Sequence, residues 1–137
     1  MLKFIEFLVG LAVGLLLLIV GGAYLLPGEV KFSRSVHVNA PTEKVFAVLN
    51  SYKRFNEWSP WAALDPKMTY AFSGPESGVG AKMDWASNDP SVGKGTQQFI
   101  VSESPAHIVA DVDFGEMGTS QAIWDLKQEN GGTYATW

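Results

Sequence analysis

The 137-residue sequence predicts an α+β domain in which a curved antiparallel sheet carries two short helices after its first strand, preceded by one N-terminal transmembrane helix. Three observations predict it. Residues 7–26 carry no charge, residues 42–58 repeat apolar positions at helical spacing, and beyond Asp65-Pro66 short β-like runs alternate with turn residues. Strands follow one another without intervening helices, which argues against a parallel sheet.

The first element reads FLVGLAVGLLLLIVGGAYLL, 20 residues from Phe7 to Leu26. That is the length an α-helix needs to cross a hydrocarbon core of about 30 Å. A cleaved secretory signal is the competing reading, because Lys3 precedes the run and Gly21-Gly22-Ala23 follow it. The run is longer than the ~7–15 residues of a signal core, and no A-x-A site precedes Pro27, so a retained single-pass anchor over residues 1–27 is the expectation. Lys3 and the terminal amine lie on one side, Lys31 and Arg34 on the other. The positive charges nearly balance, and the side of the membrane that holds residues 28–137 is left open.

Composition then removes several function classes. Past Leu26 the chain has 9 Lys+Arg against 13 Asp+Glu, the totals less Lys3 and Glu6, and the densest basic pair is Lys53-Arg54. Nucleic acid is not an expected partner, since phosphate binding needs clustered cations. There is no cysteine, which excludes disulfides, thiolate nucleophiles and Cys-based zinc sites.

Val30 to Val38 alternates imperfectly and reads as a half-buried first strand. Pro41 suits a first helical position and Glu43 the positive helix end, so Val45, Phe46, Val48 and Leu49 form the apolar face of a short helix ending near Asn50. Tyr52, Phe55 and Trp58 repeat every three residues and predict a second short helix. Pro60 stops it, because proline lacks the backbone donor and disfavours helical geometry at the residue before it. Strands are expected near residues 68–72, 79–86, 96–103, 107–114, 119–128 and from Thr133 onward. Their short connections make neighbours antiparallel.

Few motifs carry chemistry. Gly93-Lys94-Gly95-Thr96 lacks the spacing of a phosphate loop and reads as a turn. His37 and His107 fall on different strands without a carboxylate at ligand spacing, so no metal site is expected. Asp111 and Asp113 share one side of a strand, the pattern of a solvated sheet face, and no Ser/His/Asp set or G-x-S-x-G is present. No catalytic residue and no cofactor is assigned. The aromatic pattern is richer: Met68, Tyr70 and Phe72 share a face, as do Met83 and Trp85, Phe99 and Val101, Ile108 with Val112 and Phe114, and Trp124 and Leu126. Such faces make either a filled core or the lining of an apolar cavity.

Four segments together resemble one family: VNAPTEKVF (residues 38–46), NEWSPW (56–61), GPESGVGAKMDW (74–85) and GGTYATW (131–137). Over residues 31–137 the chain resembles the polyketide cyclase/dehydrase-like branch of the START-like (SRPBCC) superfamily, some of whose members carry an N-terminal membrane segment. The resemblance implies a helix-grip fold, a seven-stranded antiparallel sheet around a long C-terminal helix with a hydrophobic cavity between them. No such helix follows Trp137, so a C-terminally truncated member is expected, with the cavity an open apolar groove that favours self-association.

On this reading residues 28–137 bind a small hydrophobic molecule, a lipid or polycyclic compound, with Trp58, Trp61, Phe72, Met83, Trp85, Phe99 and Trp124 as the cavity-lining residues. A cyclase- or hydrolase-like enzyme using the same cavity is the alternative, with Asp84, Asp111 and Asp113 as its polar groups, and a membrane-bound protein-interaction module is a third.

Overall fold

The computed structural model describes residues 2–23, 28 and 30–137. The chain divides into two units, Met1–Phe32 and Ser33–Trp137. In the first, helix α1 spans Leu2–Ala23, and every side chain from Leu11 to Val20 is exposed. Among the described residues no helix is long and apolar enough to cross a membrane. Tyr24 to Pro27, where the expected span ends, lie outside the described residues.

The second unit runs β1 (Ser35–Val38), α2 (Thr42–Leu49), a 3₁₀ turn (Tyr52–Glu57), α3 (Trp61–Leu64), then β2 (Thr69–Ser73), β3 (Lys82–Ala86), β4 (Lys94–Glu103), β5 (His107–Asp113), a 3₁₀ turn (Gly115–Met117), β6 (Thr119–Glu129) and β7 (Gly132–Thr136). One sheet holds all seven strands in the order β1-β7-β6-β5-β4-β3-β2, every pair antiparallel. The six later strands form the expected meander, and β1 returns to pair with the last.

The first strand is shorter than its sequence pattern. It starts at Ser35 rather than Val30, because its ladder with β7 runs out at the reciprocal Arg34–Trp137 backbone pair (2.7 and 2.8 Å), and Val30 and Phe32 are exposed. Pro41 also shifts by one place. Its backbone is extended (φ −58°, ψ 147°) and the helix opens at Thr42, whose N–H and hydroxyl both donate to Gln128 Oε1 on β6 (3.3 and 2.8 Å). A strand side chain thereby satisfies a helix end that would otherwise leave its donors unpaired.

The second helical segment is 3₁₀ over Tyr52–Glu57, tighter than an α-helix and short as such turns are. Pro60 does more than stop it: with φ −67° and ψ −21° it already has helical geometry and opens α3 at Trp61. Pro60 at a helix start loses nothing by lacking an N–H.

The core lies between one face of the sheet, here the inner face, and α2 with the 3₁₀ turn. Val45, Phe46 and Tyr52 from the helical side meet Ala81, Met83, Phe99, Ile108, Ala110, Trp124 and Leu126 from the sheet. Strand β4 departs from simple alternation. A bulge at Ile100 places Phe99 opposite Ala110 but Val101 opposite Val109, so Phe99 and Val101 point to opposite faces rather than sharing one. Thr133, with no exposed surface, ties β7 to the segment that leaves β1: its hydroxyl donates to the Ala40 carbonyl (2.7 Å).

Candidate ligand-binding groove on the inner face

Because side chains alternate along each strand, registering β2 to β6 fixes which residues share the inner face. Cross-strand rows run Tyr70–Trp85–Gly95, then Phe72–Met83–Gln97–Val112–Ser120, then Phe99–Ala110–Ala122, then Ser102–Ile108–Trp124. The helical elements cover these rows unevenly. Tyr52 lies flat on Phe99, ring centroids 4.0 Å apart and 3° from parallel, and Ser102 Oγ donates to Asn50 Oδ1 at 2.9 Å. Trp58 stands edge-on against both Phe55 (5.0 Å) and Trp124 (6.3 Å).

The seven residues expected to line a cavity therefore fall into two groups. Met83 and Phe99 are each 1% exposed and Trp124 is buried, so their surfaces are already taken up by Tyr52, Trp58 and their neighbours. Trp58 (36% exposed), Trp61 (44%) and Phe72 (47%) present large rings to the outside, and Trp85 is half-buried. Trp61 is the first residue of α3, its N–H donating to Ser59 Oγ at 3.3 Å. The structure brings Trp58 and Trp124 into contact and sets Trp85 apart from them, at the far end of the sheet.

Trp85 owes its position to a glycine. A Cβ at residue 95 would lie 2.4 Å from the Trp85 ring and 2.4 Å from the Asp113 carbonyl, so only Gly95 lets the indole lie across β4. The ring then meets Phe114 edge-on at 5.7 Å. Phe114, 36% exposed, extends the aromatic surface and belongs with the lining residues, although it lies one residue past the end of β5.

Carboxylates are on the other side. Asp84, Asp111 and Asp113 alternate with Met83, Ala110 and Val112 and so project from the outer face, which places the polar groups of the enzyme reading away from the groove. There the Thr96 hydroxyl donates to Asp84 and, with the Lys82 ammonium, holds its carboxyl below the usual range. Gln121 Nε2 donates to Asp111 at 2.9 Å. His107 Nδ1 meets Asp125 at 2.6 Å on the same face, while His37 Nε2 meets the Glu129 carbonyl at 3.2 Å. Among the described residues no group of three metal-ligating side chains converges.

Two phenols stand out because their hydroxyls are enclosed without a hydrogen-bond partner, those of Tyr52 and Tyr70. Burial pushes both above the ordinary phenol value, so both stay protonated and can only be satisfied by an acceptor or a further donor. The spacing of Tyr52, Phe55 and Trp58 predicts a buried helical face and gives no sign of this, since an orphan hydroxyl is a property of neighbours far apart in sequence.

A curved antiparallel sheet closed over short helices on one face, with aromatic rings left open there, defines a START-like fold. The chain belongs to the polyketide cyclase / dehydrase and lipid transport family, whose model matches residues 29–137. Among solved structures it is similar to the Aha1 dimer from Colwellia psychrerythraea (16% identity, TM-score 0.56, covering 79% of this chain and 73% of that one). It is likewise similar to a protein from Arthrobacter aurescens (24%, 0.55, 77% and 64%) and to CalU16 from Micromonospora echinospora (16%, 0.52, 76% and 55%). These likenesses are of fold. Comparison with curated protein sequences gives no match.

Proposed function

We propose that this chain is a membrane-anchored START-like module that binds a small hydrophobic molecule, a lipid or polycyclic compound, on the inner face of its sheet. The observation that carries this reading is the distribution of surface: Trp58, Trp61, Phe72 and Phe114 keep between 36% and 47% of their area exposed, while the strand carboxylates occupy the opposite face. Open aromatic surface of this kind fits a ligand groove. Membership of a family described by lipid transport supports the same ligand class. A cyclase- or hydrolase-like activity lacks comparable support, because Asp84, Asp111 and Asp113 do not face the groove.

The anchor rests on the uncharged run from Phe7 to Leu26 and on α1, whose Leu, Ile and Val side chains from residue 11 to 20 are exposed all round. A helix apolar on every side calls for apolar surroundings. Self-association is a second reading, supported by the uncharged edge strand TYAFS (β2) and by a fold neighbour solved as a dimer.

The test is native mass spectrometry of the full chain purified from membranes, with extraction of any bound molecule. An apolar molecule that is retained by the native protein and by Asp111→Asn, and lost from Trp61→Glu and Phe72→Glu variants with unchanged thermal unfolding, is the expected result. An empty native protein overturns the ligand reading. Release of the chain from membranes by alkaline carbonate overturns the anchor, and a monomer in light scattering at micromolar concentration overturns self-association.

A further inference from the structure

Register sorts the polar side chains of the sheet by face. Every charged strand residue from β2 to β6, Lys82, Asp84, Asp111, Asp113 and Asp125 among them, alternates with an inner-face residue and so projects outward. The inner face holds uncharged polar groups instead, and most of them are paired within the protein. Ser102 Oγ donates to Asn50 Oδ1, Gln128 Oε1 accepts from the Thr42 hydroxyl, and the Thr133 hydroxyl donates to the Ala40 carbonyl. Gln97 differs. It stands on the inner face between Met83 and Val112, is only 6% exposed, and its amide makes no hydrogen bond to any described residue. Nor is that amide enclosed as the Tyr52 and Tyr70 hydroxyls are. Its cross-strand row continues through Val112 to Ser120, which is exposed, and lies between the Trp85–Phe114 and Trp58–Trp124 pairs, so the amide borders the open groove. We propose that Gln97 is the polar anchor of the groove, and that the groove selects uncharged amphiphiles, molecules with an apolar body and one hydroxyl or carbonyl oxygen that pairs with the Gln97 amide. The proposal rests on the groove reading above and narrows it.

The chemistry of the amide sets the ligand class. A primary amide offers two N–H donors and a carbonyl acceptor but no charge. A ligand hydroxyl can accept from it and donate to it, and a ligand carbonyl can accept from it. An ionised headgroup, by contrast, would leave water for a sheet face whose strands carry no opposite charge, a transfer that is costly without one. Discrimination also runs the other way. A bare hydrocarbon laid along the groove would shut the Gln97 amide off from water with no partner, and a polar group left unpaired in this way is penalised. A site built to hydrogen-bond a ligand oxygen therefore rejects the analogue that lacks it. Because the Gln97 side chain is buried between Met83 and Val112, packing holds the amide in place before any ligand arrives.

The probes are 2-naphthol, naphthalene and 2-naphthoate, one ring system bearing a hydroxyl, no polar group or a charge. Each is titrated at neutral pH into the ¹⁵N-labelled full chain in neutral detergent micelles, with free probe fixed by dialysis against protein-free micelles. 2-Naphthol is expected to shift the Gln97 side-chain NH₂ resonances to saturation and to bind about tenfold more tightly than naphthalene or 2-naphthoate. Gln97→Leu should lose that tenfold for 2-naphthol while binding naphthalene as well as the native protein does, or better. A role in packing alone would weaken both probes together. Naphthalene bound by the native chain with 2-naphthol no tighter, 2-naphthoate bound as tightly as 2-naphthol, or unmoved Gln97 NH₂ resonances each overturns the proposal and leaves the groove reading standing. Should Gln97→Leu fold poorly, the three probes and the NH₂ resonances of the native chain still decide. Binding of none of the three overturns the groove reading and this proposal with it.

Discussion

Gly95→Ala is a test of sign as well as size. At an unstrained position, replacing glycine by alanine stabilises a protein by roughly 0.4–1 kcal/mol, because the unfolded chain has fewer conformations to lose. Gly95 sits within β4, where side chains should be welcome. The structure reverses the expectation: the new Cβ would stand 2.4 Å from the Asp113 carbonyl and 2.4 Å from the Trp85 ring. The ring can swing away, but the carbonyl belongs to the β4–β5 ladder, where Thr96 pairs with Asp113, and cannot move without breaking register. Forcing a methyl group into such contacts costs about 1–3 kcal/mol. For a folded unit near 100 residues, each 1 kcal/mol moves Tm by about 4–8 °C, so a fall of about 5–20 °C is expected. Thermal unfolding followed by Trp fluorescence measures it, and displacement of Trp85 from Phe114 should change the native spectrum as well. A Tm equal to or above that of the native protein would refute the close packing of Trp85 over β4.

Thr133→Val should cost about 1–3 kcal/mol in urea unfolding, because it leaves the Ala40 carbonyl without the donor it has at 2.7 Å. Ser102→Ala should cost about 1 kcal/mol by the same assay through loss of the Asn50 contact. Asp65, held below its ordinary value of 3.8 by the Ser87 hydroxyl and the Lys67 N–H, contributes stability that is complete above that value and is lost as pH falls through its folded pKa. Asp65→Asn should therefore lower stability at neutral pH, where that contribution is complete, and flatten the acid limb below about pH 4, so that the variant and native curves converge at low pH. Asp113→Asn, on the outer face, should leave any groove ligand bound, and its loss on that change would refute the assignment of faces.

Much of the fold was legible because strands write themselves as alternation between turn residues. All six later strands lie within a few residues of where Met83/Trp85, Ile108/Val112 and Trp124/Leu126 place them. Misreadings came where a neighbour distant in sequence decides. Val30 and Phe32 look like strand residues, but a strand needs a partner, and the ladder with β7 reaches only to Arg34. Phe99 and Val101 obey the period of two, yet the bulge at Ile100 turns them to opposite faces, and nothing in FIVS announces a bulge. The candidate groove stands in the sequence only as a set of aromatics, with no division between filled and open surface. That division depends on Tyr52 covering Phe99 and Trp58 covering Trp124, contacts across 47 and 66 positions of the sequence.

The pairing of β1 with β7 sets the timing of assembly. Ser35 and Thr136, joined across the ladder by their hydroxyls at 2.9 Å, are 101 positions apart. While the chain is being made, β1 leaves the ribosome early and must wait, unpaired, for nearly all the rest of the domain. Contacts of such separation form slowly, since the loop between them has to be closed before they contribute anything. The meander from β2 to β6 can assemble hairpin by hairpin in the meantime, and the Thr133 hydroxyl can then latch onto Ala40 only as the final strand arrives. The N-terminal strand thus acts as the closing member of the sheet, and substitutions in it should accelerate unfolding far more than they slow folding.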